Sequence, residues 1–447
     1  MITKVMKYWI TYREGCGEFK SFLDEFWKLQ RYTREIENKT ISELYLWDQK
    51  SYEHNKATGK YLDFKKENGC SDETYVSHLI KNNYPEFASG NFSATLRGAK
   101  QRYASAKSQL NKGEISLPTY KSDQPLAIRA AEIRIAQEGK DVLISCPLFS
   151  AAYAKEKGYS GSCVLFEVHV HDNTQKTIMD RIIKKVYKLG NCQIIYDRHK
   201  LFLMVSYTFE PEIQTGLDAN KVLGVDMGIA YAMYASSLGE HERLSIQGAE
   251  VIEKAKQIEA RRKAMQKQAR YCGEGRIGHG TKTRTAPIFN AGEYLANYRD
   301  TINNRYSKAL IDFAVKYGYG TIQLEELSGI KDTPDWQDAD DAYERHRLLQ
   351  NWTYYDLQQK IEYKAKEVGI EVKKVEARFT SQRCSRCGYI DPLNRQSQAE
   401  FKCQQCGFKT NADYNASQNL SIPKIDKIIE KWMKENGANR KRTEKDG

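Results

Sequence analysis

Three short segments near the end of the chain decide its fold: Cys384-Ser-Arg-Cys387, Cys403-Gln-Gln-Cys406 and Asn411-Ala-Asp413-Tyr-Asn415-Ala416. Two CxxC pairs at this separation supply four thiolates, the ligand set of a tetrahedral zinc site. A free-standing zinc ribbon has no use for a carboxylate so soon after it. The ribbon is therefore predicted to belong to a catalytic domain, and the acidic partners of Asp413 must come from elsewhere in the chain.

Composition predicts folded domains and a nucleic-acid partner. The chain has 447 residues, of which 40% are hydrophobic, enough for two or more domains with cores of their own. The 70 Lys and Arg residues outnumber the 58 Asp and Glu residues, and 29 tyrosines add stacking surface. Cations neutralise phosphates and rings stack on bases, so this combination favours nucleic acid. The alternative is that a net charge of +12 only keeps the chain soluble.

The chain carries no signal of an extracellular or membrane location. It has no secretory signal and no run of about 20 apolar residues, the length needed to span a bilayer. We therefore expect a cytoplasmic protein without a membrane partner. Outside the ribbon, six of the ten cysteines are predicted to be small buried hydrophobic residues: Cys16, Cys70, Cys146, Cys163, Cys192 and Cys272.

Periodicity divides the first half of the chain into a strand, a helical region and a β module. A strand is predicted over residues 5–12 and helices over about 20–112. Alternating apolar residues then predict strands up to about Pro211, with a hairpin turn at residues 197–200. The helix that contains Arg97, Lys100 and Lys107 places these cations on one face. That face either follows a phosphate backbone or is simply solvated.

Carboxylates end two apolar strands in the second half. Asp226 lies within the strand that begins at Lys221, and Glu325 and Glu326 end the strand that begins at Gly320. A buried carboxylate is costly unless a cation or hydrogen-bond donor receives it. Strand periodicity alone does not choose between Glu325 and Glu326. A long insertion between the strands is strongly basic and accounts for most of the net charge.

Asp226, Glu325 and Asp413 together form the acidic set of an RNase H-like nuclease. Phosphodiester hydrolysis in this class uses two divalent cations about 4 Å apart, and Mg²⁺ prefers oxygen ligands. The sequence therefore predicts a site for two Mg²⁺ ions, for which Mn²⁺ would substitute. The alternative for Asp413 is helix capping by the segment Asn411–Asn415, which explains the asparagines but not the aspartate.

The motifs resemble those of a known nuclease family. Thr380-Ser-Gln-Arg383, which precedes the first cysteine pair, and the asparagine-rich segment after the second pair are similar to the C-terminal signature of transposon-encoded TnpB proteins and type V CRISPR effectors. Two further segments, Leu349–Lys360 and Lys176–Arg181, narrow the resemblance to the miniature type V-F CRISPR effectors. It extends over nearly the whole chain.

This resemblance implies a multidomain α+β fold. A β-barrel wedge domain and a helical recognition lobe would precede an RNase H-like α/β RuvC nuclease domain with an inserted zinc ribbon. The expected parts are the first wedge strand (1–19), the recognition lobe (20–112), the wedge barrel (113–213), a linker (214–220), the first part of the nuclease domain (221–379), the ribbon (380–410), the last part of the nuclease domain (411–434) and a disordered basic tail (435–447).

The resemblance also implies roles for individual residues. It selects Glu325 over Glu326 as the partner of Asp226 and Asp413, and it implies one structural Zn²⁺ on Cys384, Cys387, Cys403 and Cys406. It identifies Arg383 as an active-site arginine that stabilises charge on the scissile phosphate, with a phosphate-backbone contact as the alternative. Nucleic-acid contacts, including recognition of a T-rich flanking motif, are expected at Ser93, Arg97, Lys100, Arg102, Tyr120, Lys121, Arg261, Arg262 and Arg270.

The implied function is an RNA-guided DNA endonuclease that acts as an asymmetric homodimer on one guide RNA. The guide would be a CRISPR RNA with a trans-activating RNA, or a fused single guide, and the substrate double-stranded DNA. One alternative is a TnpB nuclease guided by transposon-end RNA. A repressor that binds without cutting is disfavoured because no acid is missing. A zinc-ribbon transcription factor would leave Asp226 and Glu325 unexplained.

Overall fold

The computed structural model of the protein describes residues 1–139, 141–228, 231–270, 281–326, 354–376, 379–397 and 399–443. The chain divides into two compact units, Met1–Glu210 and Pro211–Gly447. Cys272 and the first residues of the segment Leu349–Lys360 lie outside the described residues. Among the described helices, none combines the length and the apolar character needed to cross a membrane.

The first unit combines helices with one antiparallel sheet. Its described helices are α1 (Phe19–Thr58), α2 (Phe64–Asn68), α3 (Asp72–Ile80), α4 (Ser89–Asn111), α5 (Ala151–Glu156) and α6 (Asn173–Ile183). Its described strands are β1 (Ile2–Glu14), β2 (Leu126–Ile128), β3 (Arg134–Glu138), β4 (Asp141–Pro147), β5 (Cys163–His169), β6 (Lys188–Asp197) and β7 (Lys200–Phe209). In the described residues these strands form one sheet in the order β2-β6-β7-β1-β5-β4-β3. In these residues the strands form an open sheet, with β2 and β3 at its edges, where a barrel is expected.

Strand alternation gives this sheet a buried face and an outward face. In β1, Tyr8 and Ile10 are buried in the core that α1 covers with Phe22 and Phe26. Trp9, which lies between them, points to the opposite face, because successive side chains of a strand alternate. The strand predicted over residues 5–12 is confirmed and is longer than expected. The predicted hairpin is also confirmed, since Asp197 pairs with Lys200 where β6 meets β7.

The second unit is a mixed α/β unit. Its described helices are α7 (Ala249–Arg270), α8 (Thr281–Lys316), α9 (Tyr354–Val368), α10 (Ala412–Leu420) and α11 (Ile425–Thr443). Its described strands are β8 (Asp218–Asp226), β9 (Tyr231–Ser236), β10 (Arg243–Gln247), β11 (Tyr319–Glu325), β12 (Glu371–Val375), β13 (Glu400–Lys402) and β14 (Lys409–Asn411). The main sheet has the order β10-β9-β8-β11-β12, in which β11 is parallel to both β8 and β12. Strands β13 and β14 pair separately.

Helix α10 lies directly against strand β8 because Gly224 has no side chain. A Cβ at Gly224 would lie 2.1 Å from the carbonyl oxygen of Ser417 and 2.3 Å from the amide nitrogen of Ser421. A 2.6 Å hydrogen bond joins the hydroxyl of Ser417 on α10 to that of Ser236, which lies on strand β9 opposite Gly224. This close approach places α10 beside the strand that ends at Asp226.

Helix α11 extends to Thr443, into the segment from residue 435 onward for which a disordered basic tail is expected. Gly437 is the only glycine between residues 435 and 443, there is no proline, and Ala, Arg and Lys all favour a helix.

Replacing Gly224 by Ala should destabilise the second unit. The new methyl group would collide with the backbone of α10, and overpacking of this kind costs about 1–3 kcal/mol. Urea unfolding should therefore show a lower midpoint for Gly224→Ala than for the parent protein. Gly292→Ala is the matched control, because a Cβ at Gly292 on helix α8 meets nothing within 4 Å. An unchanged midpoint for Gly224→Ala would contradict the close contact.

Candidate active site

Two neighbouring parallel strands bring Asp226 and Glu325 to the same edge of the sheet. Strands β8 and β11 are in register with Val225 beside Leu324, so the next residue of each strand is one of the two acids. The structure also separates the two candidate glutamates. Glu325 points inward and is partly buried, whereas Glu326 is exposed and its backbone amide donates to the carbonyl oxygen of Val375 at 2.8 Å. Glu325 is therefore the acid that joins Asp226.

The third acid comes from the first turn of α10. Asn411 caps this helix, since its side-chain oxygen accepts from the amide of Tyr414 at 3.0 Å. Asp413 is thus not needed as the cap. The residue is 9% exposed, and the carboxyl group of Asp226 lies close enough to act on its pKa. The alternative in which the segment only caps a helix accounts for Asn411 but not for this placement of Asp413.

Burial raises the pKa of all three acids, and the charges of the neighbouring acids add to this effect at Asp226. Burial, followed by the charges of Asp413 and Glu325, raises the pKa of Asp226 well above its usual value. Burial also raises the pKa of Glu325 to about 6 and raises the pKa of Asp413. A bound cation would relieve the repulsion among the three carboxylates and favour their charged forms.

The donor set fits hard divalent cations. All three side chains offer carboxylate oxygens, which Mg²⁺ and Mn²⁺ prefer as ligands. The acids are more widely spaced than the cysteines: among the described residues, only the four cysteines form a group whose ligand atoms all lie within 4.8 Å of one another.

The four cysteines form a closed cluster of the size that zinc requires. The sulfur atoms of Cys384 and Cys406 are 3.7 Å apart, and those of Cys387 and Cys403 are 3.5 Å apart. Tetrahedral zinc with Zn–S bonds of about 2.3 Å needs sulfur atoms roughly 3.8 Å apart. The cluster predicted from the CxxC spacing therefore fits one Zn²⁺.

Asparagines of α10 fasten the ribbon to the helix that carries Asp413. The side chain of Asn415 accepts from the amide of Ser385 at 2.9 Å and donates to the carbonyl oxygen of Arg383 at 2.8 Å. Asn419 donates to the carbonyl oxygens of Thr380 and Arg383 at 3.0 and 2.6 Å. These bonds explain why asparagines recur in this segment. The ribbon and Asp413 are consequently held as one piece.

Arg383 lies in the contact between the ribbon and α10. Its guanidinium donates to the side-chain oxygen of Asn419 at 2.7 Å. Burial lowers the pKa of Arg383, and the nearby thiols of Cys384 and Cys387 act in the opposite direction. In this structure the described contacts of Arg383 therefore hold the ribbon in place.

The arginine whose charge acts on the acids is Arg395, which the sequence reasoning missed. Its positive charge lowers the pKa of Asp226, Glu325 and Asp413, against the larger effect of burial in each case. Arg395 follows a short 3₁₀ turn and bridges to Phe401 through the backbone. Two basic residues, Arg395 and Lys402, occur between the cysteine pairs, and their spacing does not show which one faces the acids.

Tyr354 is a second residue that the sequence reasoning missed. Burial raises its pKa, and the charges of Asp226 and Glu325 raise it further. One turn later on α9, Gln358 donates to the backbone carbonyl of Glu325 at 2.8 Å. The first turn of α9 therefore lies above the acidic edge of the sheet, with a phenol among the carboxylates. Because aromatic residues at helical spacing are usually core residues, nothing in the sequence pattern distinguishes this tyrosine.

The predicted basic face of α4 is largely neutralised by acids of the same unit. Arg97 pairs with Glu73 at 2.9 Å and Lys100 with Asp72 at 2.6 Å. Lys107 pairs with Asp48 at 2.7 Å. These acids come from α1 and α3, which the periodicity of α4 could not reveal. The arrangement matches the solvated-face alternative better than an open phosphate track.

The other predicted nucleic-acid residues lie in different settings. Arg102 and Tyr120 line a cavity of about 570 Å³ together with Glu37. Burial raises the pKa of Glu37 to about 7. Ser93 donates to the carbonyl oxygen of Ser89 within α4. The remaining predicted residues lie at exposed positions, Lys121, Arg261 and Arg262, or at the end of α7, Arg270.

Comparison with known proteins decides the family. Residues 354–420 match the model of the Cas12f1-like TNB domain. The chain is 39% identical to the CRISPR-associated endodeoxyribonuclease Cas12f1 of Sulfoacidibacillus thermotolerans, over 93% of this chain and 96% of that protein. The chain belongs to the Cas12f1 family. A second Cas12f1, from Syntrophomonas palmitatica, is 34% identical over 91% of this chain and 86% of its own length.

A solved structure of the Cas12f1 family supports the fold. A cryo-EM structure described as a Cas12f1-sgRNA-target DNA complex matches with a TM-score of 0.69. The match covers 95% of this chain and 99% of that chain at 20% sequence identity, so it shows the fold alone. The two Cas12f1 relatives confirm the resemblance to type V-F effectors, and the structure match confirms the multidomain α/β fold.

The raised acid pKa values predict an unusual pH dependence of stability. Glu325 ionises near pH 4.5 when unfolded and near 6 when folded, so the folded state binds more protons between these values and stability falls as the pH rises through them. Without divalent cations, Asp226→Asn should therefore raise the thermal midpoint at pH 7.5, by about 2–4 °C per kcal/mol of repulsion relieved.

Calorimetry at two pH values checks this expectation. The difference in thermal midpoint between Asp226→Asn and the parent protein should be smaller at pH 5, where the acids of the parent protein take up protons. Added Mg²⁺ should stabilise the parent more than the variant. Glu326→Gln is the matched control, because Glu326 is exposed. A lower midpoint for Asp226→Asn than for the parent at pH 7.5 would contradict the repulsion.

Proposed function

We propose that this protein is an RNA-guided DNA endonuclease that cuts both strands at the single site formed by Asp226, Glu325 and Asp413. The observation that carries the proposal is the convergence of three partly or fully buried carboxylates from separate parts of the chain. A fold that served stability alone would not gather acids whose charges oppose one another. Membership of a family whose relatives are named endodeoxyribonucleases supports the same reaction.

The nuclease domain is proposed to be of the RNase H-like RuvC type. The sheet order β10-β9-β8-β11-β12, with β9 antiparallel to β8 and with β8, β11 and β12 parallel, supports this assignment. The ribbon lies between β12 and α10 in sequence and so interrupts the domain. Its boundaries would be 221–379 and 411–434, with the ribbon at 380–410.

The proposed mechanism divides the chemistry between acids and cations of the chain. When bound, the two Mg²⁺ ions would activate the attacking water and stabilise the leaving oxygen. Asp226, Glu325 and Asp413 would hold them through their carboxylate oxygens. Arg395 would offer its guanidinium to the phosphate, where a fixed cation stabilises developing charge. The cysteines would hold Zn²⁺ and keep Arg395 in place without contacting the substrate.

The partners are proposed from the family. The chain would bind a guide RNA and double-stranded target DNA as an asymmetric homodimer, with a wedge domain at 1–19 and 113–213 and a recognition lobe at 20–112. Reading of the flanking motif is better placed at Arg102 and Tyr120, which line a cavity. Arg97 and Lys100 are paired with acids, so a DNA phosphate would have to displace those acids.

The decisive experiment uses the RNA that co-purifies with the protein. Its sequence should contain a CRISPR repeat and spacer, whereas transposon-end RNA would support the TnpB alternative. A guide with a new spacer should then direct Mg²⁺-dependent cutting of a matched plasmid. Glu325→Gln should bind the guide normally but cut at least about 10³-fold more slowly. The control Glu326→Gln should cut normally. Equal cutting by both variants would overturn the assigned site.

The two arginines should differ in what they contribute. Arg395→Ala should retain zinc and thermal stability but lower the single-turnover cleavage rate by about 10²–10³-fold, the usual cost of losing one charge-stabilising donor. Arg383→Ala should lower the thermal midpoint, because it breaks the bond to Asn419 within the ribbon contact. Cleavage rates at saturating Mg²⁺ and melting curves of both variants check the assignment. Slow cleavage by a thermally stable Arg383→Ala variant, with normal cleavage by Arg395→Ala, would instead assign the catalytic role to Arg383.

A further inference from the structure

The outward face of the sheet in the first unit carries a row of stacked rings. The Trp9 and His169 rings have centroids 4.1 Å apart at an interplanar angle of 27°. Trp9 and His171 are 5.7 Å apart at 7°, and the two histidines are 6.4 Å apart at 20°. Trp9 and His169 are half-buried, and His171 is exposed. The rings therefore form a solvent-facing stack.

This stack is a product of strand register. In β1, Trp9 lies opposite His169 of β5 on one side and opposite Phe202 of β7 on the other. Its neighbours Tyr8 and Ile10 point into the core, so Trp9 must point outward. The core of the unit is therefore complete without these rings.

Lysines lie over the same rings. The Lys200 ammonium is 4.7 Å from the centroid of the Trp9 ring, and the Lys7 ammonium is 3.9 Å from that of Phe202. The acids beside this group are Asp197, 3.5 Å from the ammonium of Lys7, and Glu167, 3.8 Å from the ring of His169. The Lys7 side chain is 43% exposed and that of Asp197 is 48% exposed, so their attraction is screened by solvent.

Rings and cations on an exposed sheet face are the features that proteins use to hold unpaired nucleotides. Trp, Phe and His side chains stack on splayed bases, and lysines nearby neutralise the phosphates that join them. A continuous duplex offers no free base faces to such a surface. We define the Trp9 platform as Lys7, Trp9, His169, His171, Lys200 and Phe202.

We propose that the Trp9 platform binds an unpaired stretch of the guide RNA. Bases of the RNA extend the stack formed by Trp9 and His171, and phosphates on either side contact Lys7 and Lys200. The inference rests on the proposed function, which supplies the RNA. RNA is the occupant favoured over DNA because stacking needs splayed, unpaired bases, which a guide RNA offers outside its paired parts and a target duplex does not, and the guide stays bound in every state of such an enzyme.

The test measures the affinity of the full chain for its guide RNA without DNA, at one fixed salt concentration. The double variant Trp9→Leu with His171→Ala keeps an apolar residue on the strand and removes two rings. It should bind about tenfold or more weakly for each stacked base lost. Tyr61→Ala is the matched control, because Tyr61 is a 69% exposed aromatic residue of the same unit outside the platform. The control should bind within about twofold of the parent.

Crosslinking identifies the nucleic acid at the platform. Ultraviolet irradiation of the parent protein with guide RNA alone should attach RNA to the peptide that contains His169 and His171. Equal affinity of the double variant and the parent, at equal thermal midpoints, would overturn the inference. Crosslinks that form only with target DNA would overturn it as well. A parent protein that bound no guide RNA would instead contradict the proposed function.

Discussion

The repulsion among three carboxylates that are partly or fully buried is the interaction on which the arrangement of the second unit depends. Asp226, Glu325 and Asp413 each have a raised pKa, and the charges of the other two acids contribute to that of Asp226. Left to itself, α10 would move away and relieve the repulsion. The absence of a side chain at Gly224 and the hydrogen bond of Ser417 instead hold the helix on the strand. Bound divalent cations would offset the free-energy cost of holding the three carboxylates together.

The zinc ribbon belongs to the same arrangement. Its asparagine contacts to α10 fix the helix that carries Asp413, and its chain between the cysteine pairs carries Arg395. The ribbon therefore sets the positions of an acid and a cation relative to each other. In the proposed mechanism this is the reason that a ribbon interrupts the nuclease domain in sequence: the four thiols would organise the site, and oxygen ligands would hold the catalytic cations.

The sequence predicted those parts of the site that depend on local pattern. The cysteine spacing gave the zinc cluster, and acids at the ends of apolar strands gave Asp226 and Glu325. Features that depend on distant parts of the chain were missed. Arg395 faces the acids only through a 3₁₀ turn and a bridge to Phe401, and the cations of α4 are neutralised by acids of other helices. The Trp9 stack likewise requires strand register, which no spacing within one segment encodes.

The central claim is that three acids from β8, β11 and α10 together form one cation site beside a separate zinc cluster. Anomalous diffraction from crystals soaked in Mn²⁺, recorded at the manganese and zinc edges, tests it most directly. The account predicts manganese peaks between Asp226, Glu325 and Asp413 and a zinc peak inside the four cysteines. Manganese bound elsewhere, with no peak at the three carboxylates, would contradict it.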